Sequence, residues 1–121
     1  MPGSAAAIGR RGERAVRRYL RWRGWRILGC NLRLGRDELD VVAVHGRESM
    51  LAIVEVKSTS RDCNLIDRVD YQKQCRIARA SERLPQSWVA GRRLRFDVAM
   101  VRVRWLTCRI QYVASAFDDP R

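Results

Sequence analysis

The spacing of apolar residues changes character several times along the chain. Over residues 9–23 it is helical. At about 100° per residue, Val16, Tyr19 and Leu20 share one side, with Ala15 at its margin. Arg10, Arg11, Arg14, Arg17, Arg18 and Arg21 fall on the opposite side. Residues 25–34 read as a strand carrying Ile27, Leu28 and Leu32. Residues 38–44 form a second, a turn at 46–49 follows, and residues 50–57 form a third. The second and third are nearly unbroken apolar runs, which predicts a sheet covered on both faces. A helix is predicted over 68–84, stopped by Pro85. Its inner stripe is Ile77, Ala80 and Leu84, and Lys73 extends it toward the N-terminus. Leu94, Phe96, Val98 and Met100 alternate with Arg95 and Asp97, the period of a strand over 94–103. A last strand covers 106–114. The order αβββαββ predicts an α/β (α+β) fold with helices packed on one sheet.

At 121 residues the chain holds one domain, expected over 9–117 between tails at 1–8 and 118–121. Twenty-five Lys and Arg against thirteen acids give +12, which favours a polyanionic partner such as DNA or RNA over a neutral small ligand. A charge kept only for solubility is the alternative. Twenty-three of the cations are arginine, and only Lys57 and Lys73 are lysine. Where arginine has replaced nearly every cation, a surviving lysine marks a site that needs a compact ammonium. Cys30, Cys63, Cys75 and Cys108 form no C-x-x-C pair. They are expected as buried free thiols in a cytoplasmic protein. No apolar stretch approaches the roughly 18 residues of a membrane span, so no membrane partner is expected.

The chemistry converges on the second hairpin. Asp40 opens one strand, while Glu55 and Lys57 close the next and share a face. The short turn at 46–49 makes these strands antiparallel neighbours, so Asp40 is brought beside Glu55. Two buried carboxylates side by side repel each other, and a divalent cation removes that cost. Mg²⁺ takes oxygen ligands, commonly one or two carboxylates, and leaves room for water and phosphate. Such a centre suits phosphodiester hydrolysis. Lys57 is placed to hold the attacking water or to stabilise charge developing on phosphorus. Glu13, at the edge of the apolar face of the first helix, can add a further carboxylate. Gln72 and Lys73 can reach the same pocket from the second helix. Glu38 is either a supporting acid or a strand-end charge. An E-x-K pair alone is weak, because a surface salt bridge looks the same.

The pieces Gly12-Glu13 with Tyr19-Leu20, Gly24, Asn31, Glu38-Leu39-Asp40 and Val54-Glu55-Val56-Lys57 resemble the YraN-like family. So do Lys73, Arg95-Phe96-Asp97-Val98 and Ala116-Phe117. That family belongs to the PD-(D/E)XK, restriction-endonuclease-like nuclease superfamily. The resemblance runs over residues 9–117. It implies an αβββαβ core with a central mixed sheet flanked by helices, and a Mg²⁺-type site at Glu13, Asp40, Glu55 and Lys57. Its likeness to Holliday-junction resolvases points to branched DNA. The family usually carries Gly before the Glu-x-Asp element. Asp37 stands there in this chain and adds a carboxylate near the site.

The expected function is therefore Mg²⁺- or Mn²⁺-dependent cleavage of DNA, with branched or damaged duplex as candidate substrates. Asp40 and Glu55 are the candidate metal ligands, with the Val56 carbonyl as a third. Arg14, Arg17, Arg21, Arg92 and Arg93 are the candidate phosphate contacts, and a homodimer would bring two sites to two strands. The alternative is a non-catalytic nucleic-acid-binding module of the same fold. His45, the single histidine, is expected at a turn, which argues against Ser–His and Cys–His catalysis. Trp22, Trp25, Trp88 and Trp105 serve either packing or stacking on unpaired bases. Asp97 reads as an ion pair or backbone brace.

Overall fold

The computed structural model describes residues 3–61 and 69–121. Helix α1 spans Ala5–Trp22. It begins earlier than the periodicity predicts, within the expected tail. The Ser4 hydroxyl accepts the Ala7 N–H at 3.2 Å, and Ala5, Ala6 and Ala7 extend the helix at little cost. Three strands follow: β1 Trp25–Leu34, β2 Asp37–His45 and β3 Met50–Thr59. Helix α2 covers Tyr71–Ser81, shorter at both ends than expected. Asp70 sets its start by accepting the Lys73 N–H at 2.8 Å. Residue 68, the predicted start, lies outside the described residues. Leu84 stays buried in the turn beyond the helix. The predicted stop at Pro85 lies beyond the end of α2, and Pro85 instead stands at the N-cap of a one-turn helix α3, Gln86–Val89. Strands β4, Arg93–Val103, and β5, Cys108–Phe117, complete the chain.

The strands form one mixed sheet in the order β1-β2-β3-β4-β5. The β3–β4 pair is parallel, with α2 in the crossover, and the other pairs are antiparallel. Val16 and Leu20 of α1 pack on Val41, Ala43, Ala52, Val54 and Val101 of one face. Ile77 and Ala80 of α2 pack with Val42, Leu51, Ile53, Val98 and Met100 on the other. Helices on a single sheet are what the element order predicts, and the two layers are consistent with the restriction-endonuclease-like core that the resemblance implies. Among the described residues, no helix is long and apolar enough to cross a membrane.

Two features position the candidate site residues. Gly12 lies against β3 so closely that a Cβ there would stand 1.8 Å from the Ser58 hydroxyl. That contact seats α1 at the C-terminal end of β3. The second feature is a break in alternation at Asp40. Leu39 joins the α2-side core while Val41 joins the α1-side core, although residues two apart in a regular strand share a face. Opposite this point β1 carries Asn31 at φ +49, between the pairs Cys30–Val41 and Leu32–Leu39.

The tail expected over 118–121 lies beyond the last strand and carries ion pairs. Arg121 pairs with Glu82 and with Asp119. Strand β5 runs beyond residue 114 because the Ser115 N–H, at φ +52, donates to the Asp97 carboxylate at 2.9 Å.

Candidate active site

Val41 and Val54 form the last backbone pair of the β2–β3 hairpin at this end. The next rung is a side chain: the Asp40 Oδ2 accepts the Val56 N–H at 2.9 Å. A carboxylate thus replaces a strand carbonyl, and Asp40 is held across from Glu55. Glu55 is buried, with only 10% of its side chain exposed, and the Lys73 ammonium stands 3.6 Å from its Oε1. Burial pushes the Glu55 carboxyl up to about 7, and the charge of Asp40 adds to the shift against the pull of Lys73. Asp40 is raised as well. Burial is the main cause, opposed by the Val56 N–H and reinforced by Glu13.

Glu13 reaches this end of the sheet from α1, where its Oε2 accepts the Asn31 side-chain amide at 3.2 Å. Asn31 therefore fixes Glu13 while its own backbone adopts the left-handed turn opposite Asp40. Asn accepts that conformation more readily than most residues, and this was the available clue to its role. Lys57 lies two residues beyond Glu55 along β3, half-buried and engaged within the fold.

The structure therefore gathers Glu13, Asp40, Glu55 and Lys73 at one end of the sheet, with Lys57 next along β3. Other candidates lie elsewhere. Gln72 lines a shallow hollow with Asp37, Cys75 and Arg79. Glu38 is exposed and pairs across the strands with Arg33 at 3.8 Å, the strand-end alternative. Asp37 does not add to the carboxylates, contrary to expectation. Arg79 of α2 grips it through two hydrogen bonds of 2.9 and 2.8 Å and holds its carboxyl below the usual range. Arg14, Arg17 and Arg21 sit on the outward side of α1. Arg92 donates to the Trp88 carbonyl at 2.8 Å. Arg93 pairs with Met50 at the far end of β3, five residues and so roughly 17 Å from Glu55.

Asp97 is completely buried and braced as predicted. It receives both arms of Arg95 at 2.9 Å, the Tyr112 hydroxyl and the Ser115 N–H. Burial and this carboxylate push the Tyr112 phenol well above its ordinary range. Cys30, Cys75 and Cys108 are free thiols but half-buried rather than buried, and Cys63 lies outside the described residues.

The donor set suits a hard divalent cation. Asp40 and Glu55 bring oxygen atoms together in a site where both charges are disfavoured without a counterion. Among the described residues, no three His, Cys, Asp or Glu side chains form a ligand cluster by themselves. A metal here would rest on two carboxylates, with backbone and solvent oxygen completing its shell, as is common for Mg²⁺.

Comparison with known proteins assigns the family. The profile of the uncharacterised protein family UPF0102 matches residues 12–101. The chain belongs to UPF0102. A UPF0102 protein of Rhizorhabdus wittichii is 40% identical over 100 residues, covering 82% of this chain and 83% of the relative. One from Syntrophotalea carbinolica is 39% identical over 119 residues, covering 93% and 92%. A third, from Rhodopirellula baltica, is 37% identical over 119 residues, covering 93% and 71%. UPF0102 is the YraN-like family, as the motifs indicated, with the PD-(D/E)XK fold. The UPF0102 match opens at the Gly12 contact and closes in β4. It contains Glu13, Asp40, Glu55, Lys57 and Lys73, and leaves out β5 and the first turns of α1.

Proposed function

We propose that this protein is a metal-dependent nuclease that hydrolyses phosphodiester bonds in DNA, with branched or damaged duplex as its preferred form. The observation that carries the reading is the Asp40–Glu55 pair. Two carboxylates are forced together at the splayed end of a hairpin, and burial raises both. A purely structural acid is normally satisfied by donors, whereas a buried pair of carboxylates that raise each other is typical of a site where chemistry is done.

In this reading Asp40 and Glu55 hold Mg²⁺ or Mn²⁺, with the Val56 carbonyl as a third oxygen. The metal, when bound, makes a water acidic enough to attack and offsets phosphate charge. Lys57 positions that water and stabilises the charge that develops on the phosphate oxygens. Lys73 balances Glu55 before substrate arrives. Glu13, steadied by Asn31, supplies a further acceptor. Arg14, Arg17 and Arg21 hold phosphates along α1, and a homodimer would supply a second site for a second strand.

The test is titration of Mg²⁺ and Mn²⁺ by calorimetry, paired with cleavage of linear, flapped and four-way DNA. Wild type should bind metal and cut, and Asp40→Asn should do neither. Wild type that binds the DNA panel but cuts none of it would replace this reading with the non-catalytic binding module.

A further inference from the structure

A groove of about 400 Å³ lies between α1 and β5, within the range of ligand clefts. Arg11, Arg14, Arg18 and Arg23 line it, and no acidic residue does. The first three stand at helical spacings of three and four residues, so their charges face one another. None has an ion-pair partner among the described residues. Like charges at that spacing weaken a helix, and a bound polyanion relieves the cost. Arg23 is already ordered, with its guanidinium 3.6 Å above the Tyr19 ring, which is itself stacked on Tyr112.

Charge alone would suit any polyanion. The rim adds a second requirement. Trp22 is 83% exposed and Leu106 is 94% exposed, and both line the same groove. A bare indole beside a row of guanidiniums fits a ligand that alternates phosphates with flat apolar faces. Duplex DNA offers its phosphates but keeps its bases stacked inside. An unpaired strand offers both.

We infer that this groove docks an unpaired nucleic-acid strand, apart from the carboxylate site. The inference takes its ligand class from the proposed action on DNA. Glu13 lies on the β1-facing flank of α1, bonded to Asn31, and the groove lies on the β5-facing flank. Within residues 10–21, the arc of roughly 120° between the two flanks carries only arginine, namely Arg17, Arg10, Arg21, Arg14, Arg18 and Arg11. A strand leaving the groove therefore crosses α1 over continuous positive charge before it reaches Asp40 and Glu55. The arrangement suits DNA with an unpaired arm beside the scissile bond.

The experiment measures binding of labelled oligothymidylate and of a matched duplex by fluorescence anisotropy, in EDTA so that no cleavage intervenes. Trp22→Ala should weaken oligothymidylate binding about fivefold or more and affect the duplex less. Arg11→Gln with Arg18→Gln should reduce the slope of log K against log salt for the single strand by about 1.4. All these side chains project from the surface, and melting curves identify any variant that fails to fold. Unchanged oligothymidylate affinity in both variants overturns the inference. Equal losses for single strand and duplex overturn it too, since they describe a phosphate track without base stacking. If sedimentation shows Trp22→Ala breaking a dimer while oligothymidylate affinity holds, the groove is an interface between copies and the inference fails. Because binding is read without metal, the predicted losses in the variants, beside a wild type that never cuts DNA, would support the groove while removing the nuclease reading.

Discussion

Glu55 and Asp97 are both buried carboxylates on neighbouring strands, and they live in opposite circumstances. Asp97 is completely buried, yet its oxygens receive a two-armed guanidinium, a phenol and a backbone N–H. Glu55 has one ammonium at 3.6 Å and a second carboxylate as neighbour. Satisfied donors make the first a brace that joins β4 to β5. The second has one ammonium that supports its charge and a carboxylate neighbour that opposes it, a balance that a bound cation would shift in its favour. Burial does not tell the two acids apart; the inventory of donors does.

The comparison can be broken most directly at Glu55. Glu55→Gln should abolish metal binding by calorimetry and lower cleavage more than about a hundredfold. The same change should leave the melting temperature unchanged or raise it, because it removes a repelling charge. Lys57→Arg should lose cleavage to a similar degree while metal binding survives. The planar guanidinium cannot occupy the place of a compact ammonium beside one water. If Lys57→Arg cuts as well as wild type, Lys57 has no catalytic part and the E-x-K pair is structural.

Asp97→Asn should show the reverse pattern. It leaves Arg95 without its charge partner, at a cost of about 3 kcal/mol, and should lower the melting temperature by roughly 10 °C. Mn²⁺ affinity of the folded protein should stay at the wild-type value. A stable Asp97→Asn protein would mean that the brace is dispensable.

Asp37 sharpens the contrast at a smaller scale. Arg79 holds its carboxyl below the unfolded value of about 3.9. The native state therefore binds fewer protons than the unfolded chain in that window. Stability from this pair is complete above about pH 5 and declines as pH falls through the lowered native value. Asp37→Asn should flatten the acid limb of a melting-temperature profile relative to wild type. Identical acid limbs would show that the pair contributes nothing. The smallest effect is expected at Glu38, whose exposed partner Arg33 stands 3.8 Å away. Glu38→Gln should move the melting temperature by no more than about 1–2 °C and leave metal binding unchanged.

Much of this contrast was visible in the sequence, for specific reasons. A short turn and the period of two leave little freedom in a hairpin, so the nearness of Asp40 and Glu55 followed from counting. The same period placed Asp97 with Arg95. The stripe on α2 pointed Lys73 inward, toward what proved to be Glu55. The Asp37–Arg79 pair spans forty-two residues, and no local pattern carries that information. The splay at Asp40 also escaped, because there a side chain does the work of a backbone carbonyl. Helix α3 is too short to show a period. The early start of α1 was hidden by three alanines, which belong equally to a tail or a helix.

Gly12 leaves no clearance between α1 and β3. With the Ser58 hydroxyl 1.8 Å from where a Cβ would stand, one added methyl must push the helix away from the sheet or force Ser58 aside. The next residue along that helix is Glu13, whose reach to Asn31 is a single 3.2 Å hydrogen bond. Gly12→Ala would therefore change no charge at the carboxylates and alter no residue that touches them, yet it would withdraw one of the acids. Under the proposed function, the distance between the helix and the sheet is itself part of the chemistry.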